Sequence, residues 1–317
     1  MKSIVFIFLM IFIVIIIPYV YKILPLKTLT SIDLPQEGSW AKLSKGNIYY
    51  RWYLPEQNHQ HNEVIILVHG FSTPSWVWNG LLKDFLDSGY KVLVYDHYGR
   101  GFSERPNIRY TKELYVNSLK ELIDDQSINE PFHLVGYSMG APIVGFYGDA
   151  HPESIASISL IAPAGLMRQE SRLNKWLLLP YLGEWIWHVF GDKIYGSSET
   201  DFSSDPKSIN KEEYSANFKQ QLKFKGFTEA LLSTVRNFNL FDTRYMYSDL
   251  GKKNIPVLVI WGTKDGVVPY ESSKKLLEIM PNINLVTIQE GTHDITYRQP
   301  SKVAKEILLF INLNLQN

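Results

Sequence analysis

The chain contains no cysteine, which excludes disulfides, thiolate metal ligands and a cysteine nucleophile and leaves the redox compartment open. It also has no charge bias. Thirty-two basic and thirty-two acidic residues give a formal net charge of zero at pH 7, so there is no electrostatic footprint for nucleic acid, and a neutral or apolar partner fits better. No internal repeat or low-complexity tract runs through the 317 residues, which argues against a solenoid. What is present is a chain with 45% hydrophobic and 20% charged residues, enough for one large domain or two small ones with an ample core.

One long apolar run opens the chain. Ile4 to Ile17 is uninterrupted and Pro18, Tyr19, Val20 and Tyr21 extend it to Lys22. Eighteen residues make roughly 27 Å of helix, close to the thickness of a hydrocarbon core. The residues after the run are not the small ones a signal peptidase needs, so the expectation for 1–21 is an uncleaved N-terminal transmembrane anchor rather than a secretory signal. The two tyrosines suit a membrane interface. Lys2 on one side is balanced by Lys22 and Lys27 on the other, and the expected topology is a cytoplasmic N-terminus with the remainder of the chain on the extracytoplasmic side. A buried core helix is the alternative, and the absence of a polar face speaks against it. Residues 22–38, punctuated by Pro25, Pro35 and Gly38, read as a linker.

From residue 39 the pattern is that of a folded domain. Trp40 to Leu43 and Ile48 to Tyr53 predict an antiparallel hairpin, joined across Ser44 to Asn47 with a Gly-Asn turn. Val64 to Gly70 and Tyr90 to Asp96 are solid apolar runs of the kind buried on both faces of a sheet. Amphipathic helices are expected over Trp78 to Leu86 and Tyr115 to Ile123, and further strands at Phe132 and at Ile155 to Ile161. This alternation predicts a mostly parallel sheet with helices on both faces. It stops at Pro163. The stretch 164–250 is aromatic and helix-like, with Trp176, Trp185, Trp187, Phe190, Phe224, Phe227 and Phe238, and reads as an inserted helical lid whose aromatics mostly form its own core. The sheet resumes with Ile255 to Gly262 and Ile283 to Gly291, and an amphipathic helix over Ser301 to Leu313 closes the second part of the core. The core is thus 39–163 plus 251–317.

The stretch Phe132 to Pro142, FHLVGYSMGAP, carries the chemistry. A strand, a sharp turn and a helix put Ser138 where a nucleophile elbow holds its serine, with glycines two residues to either side keeping side chains out of a crowded turn. The five residues GYSMG alone also fit a glycine-rich loop between strand and helix. Serine needs a base to take its proton and a third group to orient that base. Of the eight histidines, His59 and His61 lie in a polar loop, His69 and His133 on strands, His97 after a strand end, His151 before a proline and His188 in the lid. His293, in the loop EGTHD after the last predicted strand, has the setting of a base. Asp265, in WGTKDGVVP after the preceding strand, is the matching carboxylate, against the plain reading of a loop-capping residue. The order Ser138, Asp265, His293 is that of one particular fold.

Taken together these motifs resemble the α/β-hydrolase superfamily, in its lid-bearing esterase, lipase and C–C hydrolase branch, over roughly Ala41 to the C-terminus. LVHGF (67–71) is similar to the family's HG motif, and the resemblance implies that Phe71 lends its backbone N–H to an oxyanion hole. Met139, at a helix N-terminus, supplies the other N–H. YDHYGRGFSERP (95–106) resembles a loop in which Asp96 and Arg100 are structural. The resemblance implies an α/β fold with a helical lid, no cofactor and no metal. Its activity would be hydrolysis of a small hydrophobic ester, a monoacylglycerol or a short to medium acyl ester, through an acyl-enzyme on Ser138. A serine at 138 disfavours the aspartate-dependent dehalogenases and epoxide hydrolases. Asp294 stands where C–C hydrolases usually carry tryptophan, which leaves that branch open but disfavoured. An acyltransferase and a non-catalytic ligand-binding protein of the same fold are the remaining alternatives.

Overall fold

The computed structural model of the chain describes residues 2–56, 63–167, 176, 178–195 and 203–315. His59 and His61 lie outside the described residues. The eight described strands are β1 (Ser39–Leu43), β2 (Gly46–Tyr53), β3 (Val64–Val68), β4 (Lys91–Tyr95), β5 (Phe132–Tyr137), β6 (Ile155–Ile161), β7 (Val257–Gly262) and β8 (Asn284–Ile288). They form one sheet in the order β1-β2-β4-β3-β5-β6-β7-β8. β1 pairs antiparallel with β2 and β2 with β4, while every other pairing is parallel. The expected hairpin is present, but Leu43 pairs with Gly46. The turn is therefore Ser44–Lys45 rather than one centred on Gly46 and Asn47.

The apolar runs are strands because two layers of helix cover them. Along β3, Ile66 and Val68 face one apolar cluster and Ile65 and Leu67 the other, the period-2 alternation of a sheet buried on both sides. The first layer contains α3 (Lys112–Asp125) and α4 (Gly140–Ala150), which contribute Leu119, Leu122, Ile143 and Val144. The second contains α2 (Asn79–Asp87) and the C-terminal helix (Pro300–Leu315), which contribute Leu81, Phe85, Val303 and Ile307. Helix α3 starts where Thr111 Oγ1 accepts the amide of Leu114, an N-cap that satisfies one of the free donors of the first turn.

Between 164 and 250 the described residues contain no strand. They form α5 (Leu182–Tyr195), α6 (Lys211–Gln221), α7 (Phe227–Asn237) and α8 (Arg244–Leu250). Trp187, Phe218, Phe227, Leu231 and Leu232 make an apolar cluster of this insert, and Phe71 packs against it. Phe224 and Phe238 are also buried, whereas Trp176 and Phe190 are exposed. Helix α8 packs into the first core layer through Met246, Tyr247 and Leu250. Three helices follow: α9 (Ser272–Ile279), α10 (Ile295–Arg298) and the C-terminal one, α11.

The N-terminal run is helical, α1 spanning Lys2–Ile23. Among the described residues, however, no helix is long and apolar enough to cross a membrane, so the single-pass anchor expected for 1–21 is not found. Side chains are described from Met10 onward. That part also leans on the insert instead of standing clear of it. Trp185 Nε1 donates to the carbonyl of Ile15 at 2.7 Å, and the ring of Tyr19 meets His188 edge-on at 5.4 Å.

Candidate active site

Ser138 follows β5 directly and has φ of 52°, a left-handed conformation that costs a non-glycine residue about 1 kcal/mol or more. The flanking glycines make the turn sterically possible. A Cβ on Gly136 would lie 2.6 Å from the carbonyl oxygen of Gly140, and one on Gly140 would run into the backbone of Val68 and His69. The turn is fastened by Ser138 N donating to Ile161 O at 2.9 Å and by Ala164 N donating to Ser138 O at 3.2 Å.

His293 and Asp265 come to Ser138 from the carboxyl ends of β8 and β7, where a parallel sheet collects its loops. His293 Nε2 is 3.0 Å from Ser138 Oγ, and His293 Nδ1 is 2.9 Å from Asp265 Oδ2. The other carboxylate oxygen, Oδ1, accepts the amides of Val267 at 2.9 Å and Val268 at 2.8 Å. Asp265 therefore also caps its loop, but the two readings are compatible because each oxygen has its own partners. The two loops are laced together by Lys264 N donating to Gly291 O at 2.8 Å and Thr263 N to Ile288 O at 3.1 Å. Tyr137 packs its ring 5.3 Å from that of His293, which limits the imidazole's freedom to swing. A chain from hydroxyl to imidazole to buried carboxylate can draw a proton from the serine and hold the base in one tautomer.

Phe71 lies at the end of β3 beside the serine: a Cβ on its neighbour Gly70 would come 3.2 Å from Ser138 Cβ. Among the described residues neither the amide of Phe71 nor that of Met139 donates to a protein acceptor, and Met139 is the N-cap of α4. Two unspent donors beside the serine, one at the positive end of a helix, suit a developing oxyanion.

The segment carrying Phe71 is braced in a way the sequence did not announce. His69 Nδ1 bonds to Gly70 O at 2.9 Å and its Nε2 accepts the amide of His97 at 2.9 Å, while His97 Nε2 bonds to His69 O at 3.0 Å. Both rings are buried, and burial drives the pKa of His97 down to about 3 and that of His69 well below its ordinary value. They are neutral struts. Asp96 accepts from the amides of Ser75 and Phe102, each at 2.8 Å, and Arg100 sits fully buried with Nε on Phe71 O at 2.8 Å and Nη2 on Thr234 Oγ1 at 2.9 Å. Neither Asp96 nor Arg100 reaches Ser138 or His293.

Gln221, at the end of α6, completes the brace. Its Nε2 donates to Ser72 O at 2.7 Å and its Oε1 accepts the amide of Gly101 at 3.2 Å. Gln221 and Thr234 thus make three side-chain hydrogen bonds from the insert, one to Ser72 beside Phe71 and two to Arg100 and Gly101 of the loop after β4. Neither residue carries a sequence signal, since a glutamine within NFKQQLKFKG looks like any exposed helix position.

An eight-stranded, mostly parallel sheet with a strained serine after β5 and its histidine and aspartate on later strand ends defines a class, the α/β hydrolases. The sequence profile of the alpha/beta hydrolase fold matches residues 63–298, and the chain belongs to that family. Curated relatives include monoacylglycerol lipase ABHD6 of Homo sapiens, 25% identical over 272 residues covering 79% of this chain and 76% of that protein. The probable lysophospholipase L2 of Haemophilus influenzae is 23% identical over 270 residues, 80% of this chain and 85% of its own. Among solved structures, a bromoperoxidase from Bacillus anthracis superposes with a TM-score of 0.70 at 21% identity over 87% of this chain and 99% of that one. A bacterial membrane phospholipase A superposes with a TM-score of 0.67 at 16% identity, over 100% of this chain and 98% of that one. These superpositions speak to the fold.

Proposed function

We propose that this chain is a serine hydrolase of carboxylic esters that acts through an acyl-enzyme on Ser138. The observation that carries the reading is the hydrogen-bonded chain from Ser138 Oγ through His293 to Asp265. Ser138 Oγ attacks the ester carbonyl as its proton passes to His293 Nε2, and Asp265 stabilises the imidazolium. The amides of Phe71 and Met139 hold the oxyanion, each worth roughly 3 kcal/mol of transition-state stabilisation. His293 returns the proton to the leaving alcohol, then takes one from the water that attacks the acyl-enzyme, and the acid and free serine are released.

The substrate class follows from the surroundings and from kinship. An apolar insert packs beside Phe71, and the relatives named above are called a monoacylglycerol lipase and a probable lysophospholipase, both names for enzymes whose substrates carry one acyl chain. A monoacylglycerol or a short to medium acyl ester is accordingly the substrate, with 164–250 as the lid over it. Met10, Ile11, Phe12, Val14 and Ile17 of α1 are apolar and exposed, and we assign this stretch to a lipid surface.

A fluorophosphonate probe tests the nucleophile: wild-type protein is labelled and a folded Ser138→Ala variant is not. Labelling that survives in Ser138→Ala refutes the assignment. Met139→Ala keeps its backbone donor and retains turnover to within a few fold, whereas Ser138→Ala abolishes it. A panel of monoacylglycerols and p-nitrophenyl esters then reads the chain length.

A further inference from the structure

A cavity of about 470 Å³ lies between the end of α1 and the insert, away from Ser138, and no residue of the Ser138–His293–Asp265 chain lines it. Four lysines do: Lys22, Lys27, Lys219 and Lys223. No aspartate or glutamate is among the described residues of its wall. His188 also lines it, its Nε2 3.0 Å from Glu229 Oε1, and Lys223 Nζ donates to Gln220 Oε1 at 2.6 Å, so four lysines stand against one carboxylate beside this wall. The rest of the wall is largely apolar and aromatic, including Trp187, Phe224 and Phe227. Backbone pairing ties two segments of the wall together, Lys27 N donating to Lys223 O at 2.9 Å and Lys225 N to Lys27 O at 2.8 Å. Trp187 and Phe227 belong to the cluster that Phe71 packs against, so this wall backs onto the candidate active site without opening the same space.

We propose that this cavity binds a single-chain fatty acid, its carboxylate among the lysines and its chain against the aromatic wall. Positive side chains beside an apolar floor match an anionic amphiphile and offer a neutral one no reward for its head group. The size restricts the occupant further. A cavity of about 470 Å³ suits one acyl chain with its head group. It also lies within the range of small-ligand sites, about 300–1,000 Å³. A fatty acid is the class of product the proposed hydrolysis releases, but binding here requires no turnover and is tested separately from it.

The experiment uses the full chain in phosphatidylcholine vesicles with a diazirine-bearing dodecanoic acid and the matching primary alcohol, followed by peptide mapping. The acid is expected to label peptides containing 22–27 and 219–228, in competition with laurate. Lys219→Gln combined with Lys223→Gln, with unchanged thermal unfolding, is expected to weaken that labelling about tenfold, the loss of one charge-assisted contact. Equal labelling by acid and alcohol overturns the proposal, as does labelling confined to the peptides of Ser138 and His293. Inorganic phosphate competing as well as laurate, or a lysophosphatidate competing where laurate does not, assigns the site to a phosphate head and overturns the fatty acid. Loss of fluorophosphonate labelling at Ser138 would bear on the hydrolase reading alone.

Discussion

Replacing Gln221 by leucine tests whether the insert holds the oxyanion donors in place. The change keeps the approximate size of the side chain and removes both of its hydrogen bonds, to Ser72 O at 2.7 Å and from Gly101 N at 3.2 Å. Each neutral bond contributes about 1 kcal/mol net, and a buried group left without a partner costs about 1–3 kcal/mol. Because Gln221 is 1% exposed, water does not readily replace it, and the total penalty is about 2–4 kcal/mol. How that divides between stability and catalysis depends on how far Phe71 moves. Arg100 still grips Phe71 O, so the loop loosens rather than leaves, and the catalytic share is smaller than the roughly 3 kcal/mol of a lost oxyanion donor. The expected result is a kcat reduced about tenfold on a p-nitrophenyl ester, with KM changed by less than threefold and a melting temperature lowered by several degrees. Fluorophosphonate labelling should slow in parallel, since phosphonylation uses the same oxyanion site. A folded Gln221→Leu protein with the kcat, labelling rate and melting temperature of the wild type would refute the brace.

Two further outcomes follow from the geometry. Gly140→Ala places a methyl group against the backbone of Val68 and His69, atoms that no rotamer change can move, so the variant should lose Ser138 labelling and at least about 2 kcal/mol of stability; a fully active Gly140→Ala would show that the elbow relaxes freely. Acid should destabilise the fold through buried histidines: burial lowers His97 to about 3 and His133 to about 4, with His69 also well below its usual value. Below pH 6.5 the unfolded chain takes up these protons and the folded one does not, so stability falls as pH drops, by up to about 2 kcal/mol per histidine between pH 7 and pH 5. Asp96, whose carboxyl is raised by burial, acts with the opposite sign and offsets part of the histidine slope. An unfolding free energy that stays flat from pH 7 to pH 5 would sink this account.

The parts of the fold legible in the sequence are those fixed by local pattern. β3 and β7 announce themselves as unbroken apolar runs because they are buried on both faces. GYSMG is legible because the turn that holds a serine at φ 52° leaves no room for a side chain two residues to either side, and Asp265 and His293 because strand ends of a parallel sheet collect its functional loops. The insert was legible only as helical and aromatic. Which of its aromatics reach the active site depends on packing between distant segments, and the structure brings Trp187, Phe218 and Phe227 to Phe71 while leaving Trp176 and Phe190 exposed. The N-terminal run shows the opposite failure, since eighteen apolar residues satisfy a length rule that takes no account of the protein beside the helix. Trp185 and His188 touch α1 at Ile15 and Tyr19, and nothing in the run itself encodes that contact.

The same division separates the two halves of the candidate site. The Ser138–His293–Asp265 chain is built on strand ends, and each member is oriented by its own loop: Ser138 by the elbow, Asp265 by two amides, His293 by Asp265 and the Tyr137 ring. The oxyanion side is not self-sufficient. Phe71 is held from behind by Arg100, and Arg100 and Ser72 are held in turn by Thr234 and Gln221 of the insert. Helices α6 and α7 therefore contact the Phe71 side of the candidate site, through Ser72, Arg100 and Gly101. Trp187 and Phe227 belong both to the wall of the lysine-lined cavity and to the cluster against which Phe71 packs, so on the proposed reading an occupant of that cavity would bear on the Phe71 side of the site and not on Ser138.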